Sequence, residues 1–265
     1  MPTDRLQAGG SVLITGASSG IGLELAKLFA AAKQPMILTA RNAAALEQLA
    51  QECRQSHGVE AQVITADLAD SAGPQFLFDE IQRRNLSVDI LVNNAGFGTH
   101  GRFWEIPTND ELSLLQVNVV ALVQLTRLFL PGMVARKHGK VMNVASTAAL
   151  QPGPLMANYY ASKAYVLSFS EALSNELAGT GVTVTALCPG PTSTDFQKRA
   201  GIGMSKISAI AGMSAQAVAQ AGYNAVMNGK RVCIPGWRNR FLARSSKLLP
   251  RSLVLNAVRR LNASR

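Results

Sequence analysis

Between Asn158 and Tyr165 the chain reads NYYASKAY, three tyrosines crowded around one lysine. A phenol can give or take a proton, and an ammonium nearby favours the phenolate, so such a pair is a candidate proton-transfer couple. On a helix, residues three and four apart share a face, so Tyr160 and Tyr159 both reach Lys163 while Tyr165 points elsewhere. Spacing leaves both tyrosines open. Aromatic residues at helical spacing also serve plain core packing, and that reading stays open too.

These residues need a scaffold, and the sequence carries a regular one. Short β-branched runs, SVLIT, PMILT, AQVIT, DILVN, KVMNVAS, VTVTALC and RVCIP, alternate with helix-length segments at 20–33, 43–57, 71–85, 109–137, 155–178 and 215–228. Continuously apolar strands separated by helices imply a parallel sheet covered on both faces. The expected fold is α/β: a doubly wound Rossmann fold with a single parallel sheet of about seven strands flanked by helices. Ligands in that architecture bind where the carboxyl ends of the strands open, so the chemistry should lie just after strands. The domain expectation is a catalytic body over 1–236 and a basic amphipathic helical tail over 237–265.

Composition narrows the class. With 265 residues, 48% of them apolar, the chain can bury a large single core. The first ten residues hold no apolar run of the kind that a secretory signal needs, and Cys53, Cys188 and Cys233 have neither disulfide nor metal-ligand spacing, so a reducing, cytoplasmic setting is expected. The apolar run 119–135 carries Gln124, Arg127 and Pro131, which suits a buried helix better than a membrane span. Charge is uneven: residues 1–195 hold 13 basic against 16 acidic side chains, while residues 196–265 hold 13 basic and none acidic.

After the first strand comes TGASSGIG, Thr15 to Gly22. Gly16 permits a tight turn, Gly20 and Gly22 allow close approach, and the free N–H groups of the following helix face an anion. After the fourth strand comes NNAG, Asn93 to Gly96, then Asn118 in the long helix, Ser146 after the fifth strand, Tyr159-x-x-x-Lys163, and PGPTST, Pro189 to Thr194, after the sixth. This ordered set resembles the classical short-chain dehydrogenase/reductase family over about residues 10–235. The resemblance implies an oxidoreductase that moves a hydride between a nicotinamide and a ketone, aldehyde or secondary alcohol. It selects Tyr159 as general acid/base, with Tyr160 as a packing neighbour. It further implies that Lys163 lowers the tyrosine pKa and bonds the nicotinamide ribose, that Ser146 holds the substrate oxygen, and that Asn118 fixes a proton-relaying water. Taken alone, Ser146 would also serve as a turn residue and Asn118 as a buried helix polar group.

The cofactor-binding set implied by the resemblance is Gly16, Ser18, Ser19, Gly20, Ile21, Gly22, Arg41, Asp67, Leu68, Asn94, Ala95, Gly96, Tyr159, Lys163, Pro189, Gly190, Thr192 and Thr194. After the second strand stands ILTARN, with Thr39 and Ala40 where an acid would hold the ribose of NAD, and Arg41 beside them. A guanidinium suits the extra 2′-phosphate, so NADP(H) is expected, although Ser18 and Ser19 stand where many NADP-preferring relatives place a second basic residue. Asp67 resembles an adenine-contacting aspartate, an N-cap being its plain alternative.

The substrate is expected to be an apolar carbonyl or alcohol, met by Phe97, Met156, Met204, Ile207 and Ile210, with Lys198, Arg199 and Lys206 available for an anionic handle. A 3-oxoacyl thioester or hydroxysteroid is the alternative substrate, and a non-catalytic NADP-binding sensor the alternative class. His100 reads as a loop residue. In the tail, Phe241, Leu242, Ser245, Leu248 and Leu249, then Val254, Ala257, Val258 and Leu261, form apolar stripes on two basic helices. Packing on the body or a sister subunit, an anionic membrane surface and nucleic acid are the readings weighed. Homo-oligomerisation, as dimer or tetramer, with possible peripheral membrane contact and no nucleic acid, is the expectation carried forward.

Overall fold

The structure is a computed structural model that describes residues 10–193, 212–245 and 250–263, the side chains of 242–245 excepted. Its strands are β1 (Gly10–Thr15), β2 (Met36–Thr39), β3 (Ala61–Val63), β4 (Ser87–Asn93), β5 (Gly139–Val144), β6 (Val182–Leu187), β7 (Thr192–Ser193), β8 (Met213–Ser214) and β9 (Val232–Cys233). Seven of them form one sheet in the order β3-β2-β1-β4-β5-β6-β9, every pair parallel. Windings depart in opposite directions from β1 and β4, which makes the gap between their carboxyl ends the switch point. The doubly wound Rossmann architecture read from the sequence is the one the chain adopts.

Helices cover both faces: α1 (Gly20–Ala31), α2 (Ala43–His57), α3 (Gly73–Arg83), α4 (Thr108–Leu115), α5 (Leu122–Ala135), α6 (Ala157–Glu176), α7 (Ala215–Met227), α8 (Trp237–Ser245) and α9 (Arg251–Ala263). Alternation along β1 shows how the sheet builds two cores. Val12 and Ile14 pack with Leu25, Phe29 and Val218 on one side, while Leu13 packs with Leu91, Leu125 and Phe129 on the other. Each fully buried side chain of this kind is worth about 1.5–3 kcal/mol, which is why both faces of the strands are apolar.

The long apolar helix expected over 109–137 is not one α-helix. A π-helical stretch, Gln116–Ala121, separates α4 from α5 and carries the buried Asn118. Such wide turns cluster at functional sites because they re-aim one side chain. The whole run Thr108–Ala135 has the length and hydropathy of a membrane span, yet Leu114, Ala121, Leu122, Leu125, Phe129 and Met133 are buried in the fold.

A buried polar ladder ties the sheet to the helices that carry the site. Asn93 Nδ2 donates to Thr126 Oγ1 (3.0 Å) and to Asn143 Oδ1 (2.9 Å), and Asn143 Nδ2 donates to Ser170 Oγ (2.9 Å). Because buried amides are costly unless paired, this ladder fixes α5 and α6 against the ends of β4 and β5.

Candidate active site

A cleft of about 690 Å³ runs across the carboxyl ends of the strands. Its floor at one end is the glycine turn. Gly16 sits at φ 65°, in the left-handed region. A Cβ on Gly22 would stand 2.5 Å from both Asn94 Nδ2 and Gly16 O, so only glycine lets α1 start this close to the turn. The helix has no side-chain cap at Ser19 and no acidic residue in its first turn. Its first N–H groups, with the positive end of the helix dipole, are therefore directed at the cleft.

Thr15 joins this turn to NNAG. Its hydroxyl donates to Val92 O (3.2 Å) and accepts from the backbone N–H groups of Asn94 (3.0 Å) and Ala95 (2.9 Å). Asn94 Nδ2 returns to Thr15 O (2.8 Å) and Gly16 O (3.2 Å). Thr15 was read only as the start of a motif; its bonding makes it the strut between two of the cleft's walls.

Of the expected cofactor residues, Gly16, Ser18, Ser19, Gly20, Ile21, Arg41, Asp67, Leu68, Asn94, Ala95, Gly96, Tyr159, Lys163, Pro189, Gly190 and Thr192 line the cleft, as does the catalytic candidate Ser146. Gly22 lies buried beneath it, and Thr194 lies outside the described residues. Arg41 is exposed at the rim, with no ion pair or hydrogen bond among the described residues. Asp67 Oδ1 accepts from Ala69 N (2.9 Å) in a turn and faces the cleft; it is not the N-cap weighed for it, because α3 starts at Gly73 and its N-cap is Ala72. Glycine-turn donors at one end and an unpaired guanidinium beyond β2 fit the pyrophosphate and the adenosine end of a dinucleotide.

At the other end stand Ser146, Tyr159 and Lys163. Ser146 lies two residues beyond β5, accepts from Ala148 N (3.1 Å) as a turn cap, and makes a long bond to Pro189 O (3.4 Å). Lys163 is buried, its Nζ donating to Val144 O (2.8 Å) and lying 6.0 Å from the centre of the Tyr159 ring. Burial lowers its pKa from 10.5 to about 8. Its neighbour Cys188, pushed up to about 12 by the same burial, is a neutral thiol and offsets little of that. Lys163 thus remains mostly an ammonium at neutral pH. Tyr160 packs its ring on Gly153, where a Cβ would come within 2.2 Å of it, and meets Tyr159 edge to face.

Asn118 stands one layer back. Its Nδ2 donates to Phe97 O (2.9 Å) and Ser162 Oγ (3.1 Å), and its Oδ1 accepts from Phe97 N (3.1 Å). Ser162 Oγ in turn donates to Tyr159 O (2.7 Å). The side chain therefore fixes the NNAG loop and the backbone of the tyrosine, and both of its amide hydrogens are engaged in doing so.

Sequence reasoning missed two contributors. Glu111, buried in α4, accepts from Thr99 Oγ1 and from Asn158 Nδ2, so it pins the loop after NNAG to the start of α6. The second is the tail. Asn239 of α8 sits against Gly190, while Val258, Leu261 and Asn262 of α9 line the cleft. Val254 and Val258 are buried, so part of the tail's apolar stripe is used on the body itself. Arg251, Leu253, Arg259 and Arg260 face outward. The expected tail residues Leu242, Ser245, Leu248 and Leu249, and the pocket residues between Lys198 and Ile210, lie outside the described side chains.

Fold and cleft together define a doubly wound dinucleotide-binding α/β protein with a tyrosine–lysine pair at the substrate end. The short chain dehydrogenase family model matches residues 11–205, and the chain belongs to that family. Over 260 residues it is 31% identical to the very-long-chain 3-oxoacyl-CoA reductase of Anas platyrhynchos, covering 96% of this chain and 80% of that protein. Among solved structures it resembles a short-chain dehydrogenase from Sphingobium yanoikuyae in complex with NADPH, with TM-score 0.81, 31% identity and coverage of 90% and 93% of the two chains. A short-chain dehydrogenase from Burkholderia phymatum in complex with NAD gives TM-score 0.79 at 27% identity, with coverage of 89% and 92%.

Proposed function

We propose that this oxidoreductase is an NADP(H)-dependent carbonyl reductase or alcohol dehydrogenase acting on a largely apolar ketone, aldehyde or secondary alcohol. The observation that carries the reading is the single cleft that joins the glycine turn and Arg41 to Ser146, Tyr159 and Lys163. A bound nicotinamide would supply the hydride. The Gly16–Ile21 turn would hold the pyrophosphate and Arg41 the 2′-phosphate.

The chain's own residues handle the proton and the geometry. Ser146 orients the carbonyl oxygen, and the Tyr159 hydroxyl delivers a proton to it as negative charge develops. An ordinary phenol, with a pKa near 10, exchanges protons sluggishly at neutral pH. The buried ammonium of Lys163, poorly screened in a low-dielectric setting, favours the phenolate and brings the transfer nearer to balance. Asn118 and Ser162 hold the tyrosine's backbone in register.

A 3-oxoacyl thioester is the second reading, favoured by the similarity to the Anas platyrhynchos enzyme across nearly the whole chain. NADPH oxidation followed with simple ketones, a hydroxysteroid's keto form and an acetoacetyl thioester tests both, and no oxidation with any of them leaves the sensor reading in place. Homo-oligomerisation is supported by the exposed Leu112, Val120 and Tyr165 on neighbouring helices; light scattering that returns a monomer at working concentration would remove it.

A further inference from the structure

The elements that wall the substrate end of the cleft carry exposed aromatic and cationic side chains. Both of the chain's tryptophans are among them. Trp104, in the loop between β4 and α4, is 78% exposed, and Trp237, which opens α8, is 71% exposed. Tryptophan is highly buried on average, so two rings this exposed point to a surface that covers them. Each has an arginine against it, Arg102 Cζ 5.9 Å from the Trp104 centroid and Arg238 Cζ 5.4 Å from that of Trp237. Phe241, one turn after Trp237, is 69% exposed, and Phe103 is exposed beside Trp104.

Hydrogen bonds gather these elements at one end of the molecule. His100 Nε2 donates to the main-chain oxygen of Asn262 (2.9 Å), and Gly101 N donates to Leu155 O (2.9 Å), so the tryptophan loop is joined to α9 and to the loop before α6. Helix α8 meets the same end through Asn239, which sits against Gly190. In α9, Val254, Val258 and Asn262 are buried at four-residue spacing and face the body. Leu253, Ala257 and Leu261, about 100° around the helix, form a parallel exposed strip. Leu261 also lines the cleft, so the apolar strip leads from the surface to the substrate end. Arg251, Arg259 and Arg260 are exposed on the same helix. Residues 196–265 hold 13 basic and no acidic side chains, and Glu105, beside Trp104, is ion-paired with Arg102 (3.3 Å).

We propose, resting on the reading that this cleft takes an apolar carbonyl compound, that the face formed by the Trp104 loop, α8 and α9 docks on an anionic lipid bilayer, so that substrate dissolved in the lipid meets the cleft at the membrane surface. Amphipathic rings and leucines enter the headgroup boundary while arginines meet the lipid phosphates and carboxylates. A second copy of the chain is the poorer occupant, because a two-fold contact sets the same cationic face against itself. Duplex nucleic acid matches the charge but leaves the aromatic and leucine surface uncovered.

Vesicle binding by the full-length protein, read by co-sedimentation and tryptophan emission, tests this. Phosphatidylcholine vesicles with about 30% phosphatidylserine should be bound at least about 10-fold more tightly than phosphatidylcholine alone, with emission shifted to the blue as the rings leave water. Salt at about 0.5 M should weaken the binding. Neutralising Arg251, Arg259 and Arg260 to glutamine should cost about 5-fold per arginine, about 100-fold together. Trp237→Ser with Phe241→Ser should cost about 10-fold or more. Lys27→Gln, Arg83→Gln and Lys137→Gln together, on or after α1, α3 and α5, remove as much charge elsewhere and should change binding by less than about two-fold. The proposal is overturned by no preference for anionic vesicles, by binding without an emission shift, or by an equal loss in the Lys27, Arg83 and Lys137 variant. A duplex oligonucleotide bound as tightly as the anionic vesicles overturns it, as does light scattering in which the α8 or α9 variants turn an oligomer into monomers, since nucleic acid or a second copy would then be the occupant. None of these readouts needs turnover. Vesicle binding by a protein that reduces no carbonyl supports the docking while the reductase reading fails, and normal turnover without vesicle binding overturns the docking alone.

Discussion

Replacing Gly96 by alanine would place a methyl group between the two side chains that hold the site together. The new Cβ would lie 2.9 Å from Asn118 Oδ1 and 3.3 Å from Lys163 Nζ. Neither can simply swing aside. Asn118 is held at Phe97 N (3.1 Å), Phe97 O (2.9 Å) and Ser162 Oγ (3.1 Å), and Lys163 at Val144 O (2.8 Å). Stretching or breaking two hydrogen bonds at about 0.5–1.5 kcal/mol each predicts a loss of about 1–3 kcal/mol. For a chain of this size, that lowers Tm by about 3–10 °C. Turnover should fall more than stability, because the ammonium that tunes Tyr159 is displaced along with the strut behind it. Calorimetry and steady-state NADPH oxidation on Gly96→Ala, Asn118→Ala and the double variant read both effects. Removing the Asn118 side chain should hurt the Gly96→Ala protein less than it hurts the wild type, since the collision is then relieved. Stability changes that add to within about 0.5 kcal/mol would refute the reasoning.

Arg41→Ala or Arg41→Asp should weaken NADPH use by about one to two decades while barely touching NADH use, as expected for a charged hydrogen bond worth about 1.5–3 kcal/mol; equal losses with both cofactors would exclude a phosphate contact. Lys163→Met should lose turnover yet gain stability. Lowering the lysine from 10.5 to about 8 penalises the folded protein by about 3 kcal/mol wherever the lysine is charged in it. That penalty is complete below pH 8 and fades as pH rises through 10.5, so the Tm advantage of Lys163→Met should be largest at neutral pH and shrink above 8. A variant less stable than wild type at pH 7 would show that the bond to Val144 outweighs the desolvation. Glu111→Ala leaves the Thr99 hydroxyl and the Asn158 amide without their acceptor and should cost about 1–3 kcal/mol in urea unfolding, with kcat reduced through a loosened α6; unchanged stability and rate would mean the buried carboxylate positions nothing.

The seven strands of the main sheet and most helix boundaries were legible because a doubly wound sheet buries both faces of its strands, leaving apolar runs such as SVLIT and DILVN with turn chemistry between them. The glycine turn was legible for a local reason: Gly16 and Gly22 meet requirements set within a few residues. What stayed hidden depends on distant contacts. The π-helical stretch around Asn118 is one such feature, since QVNVVA gives no local sign of it. Glu111 is one of two acids in the first turn of α4, and only the fold brings Thr99 and Asn158 to it. The tail's amphipathic pattern announced a surface to cover without naming it. That Val258 and Asn262 cover the substrate end follows from a chain reversal across more than a hundred residues, for which sequence has no local marker.

Tyr159→Phe, measured beside Tyr160→Phe, tests the central claim most directly. Each removes one hydroxyl and keeps a ring, the first facing Lys163 across 6.0 Å and the second seated on Gly153. With cofactor affinity measured separately by fluorescence titration, Tyr159→Phe should bind NADPH nearly as wild type and lose turnover by about 10²- to 10⁴-fold, while Tyr160→Phe keeps most of its activity. A dead Tyr160→Phe enzyme alongside a normal Tyr159→Phe enzyme would contradict the account and place the proton donor one residue further along α6.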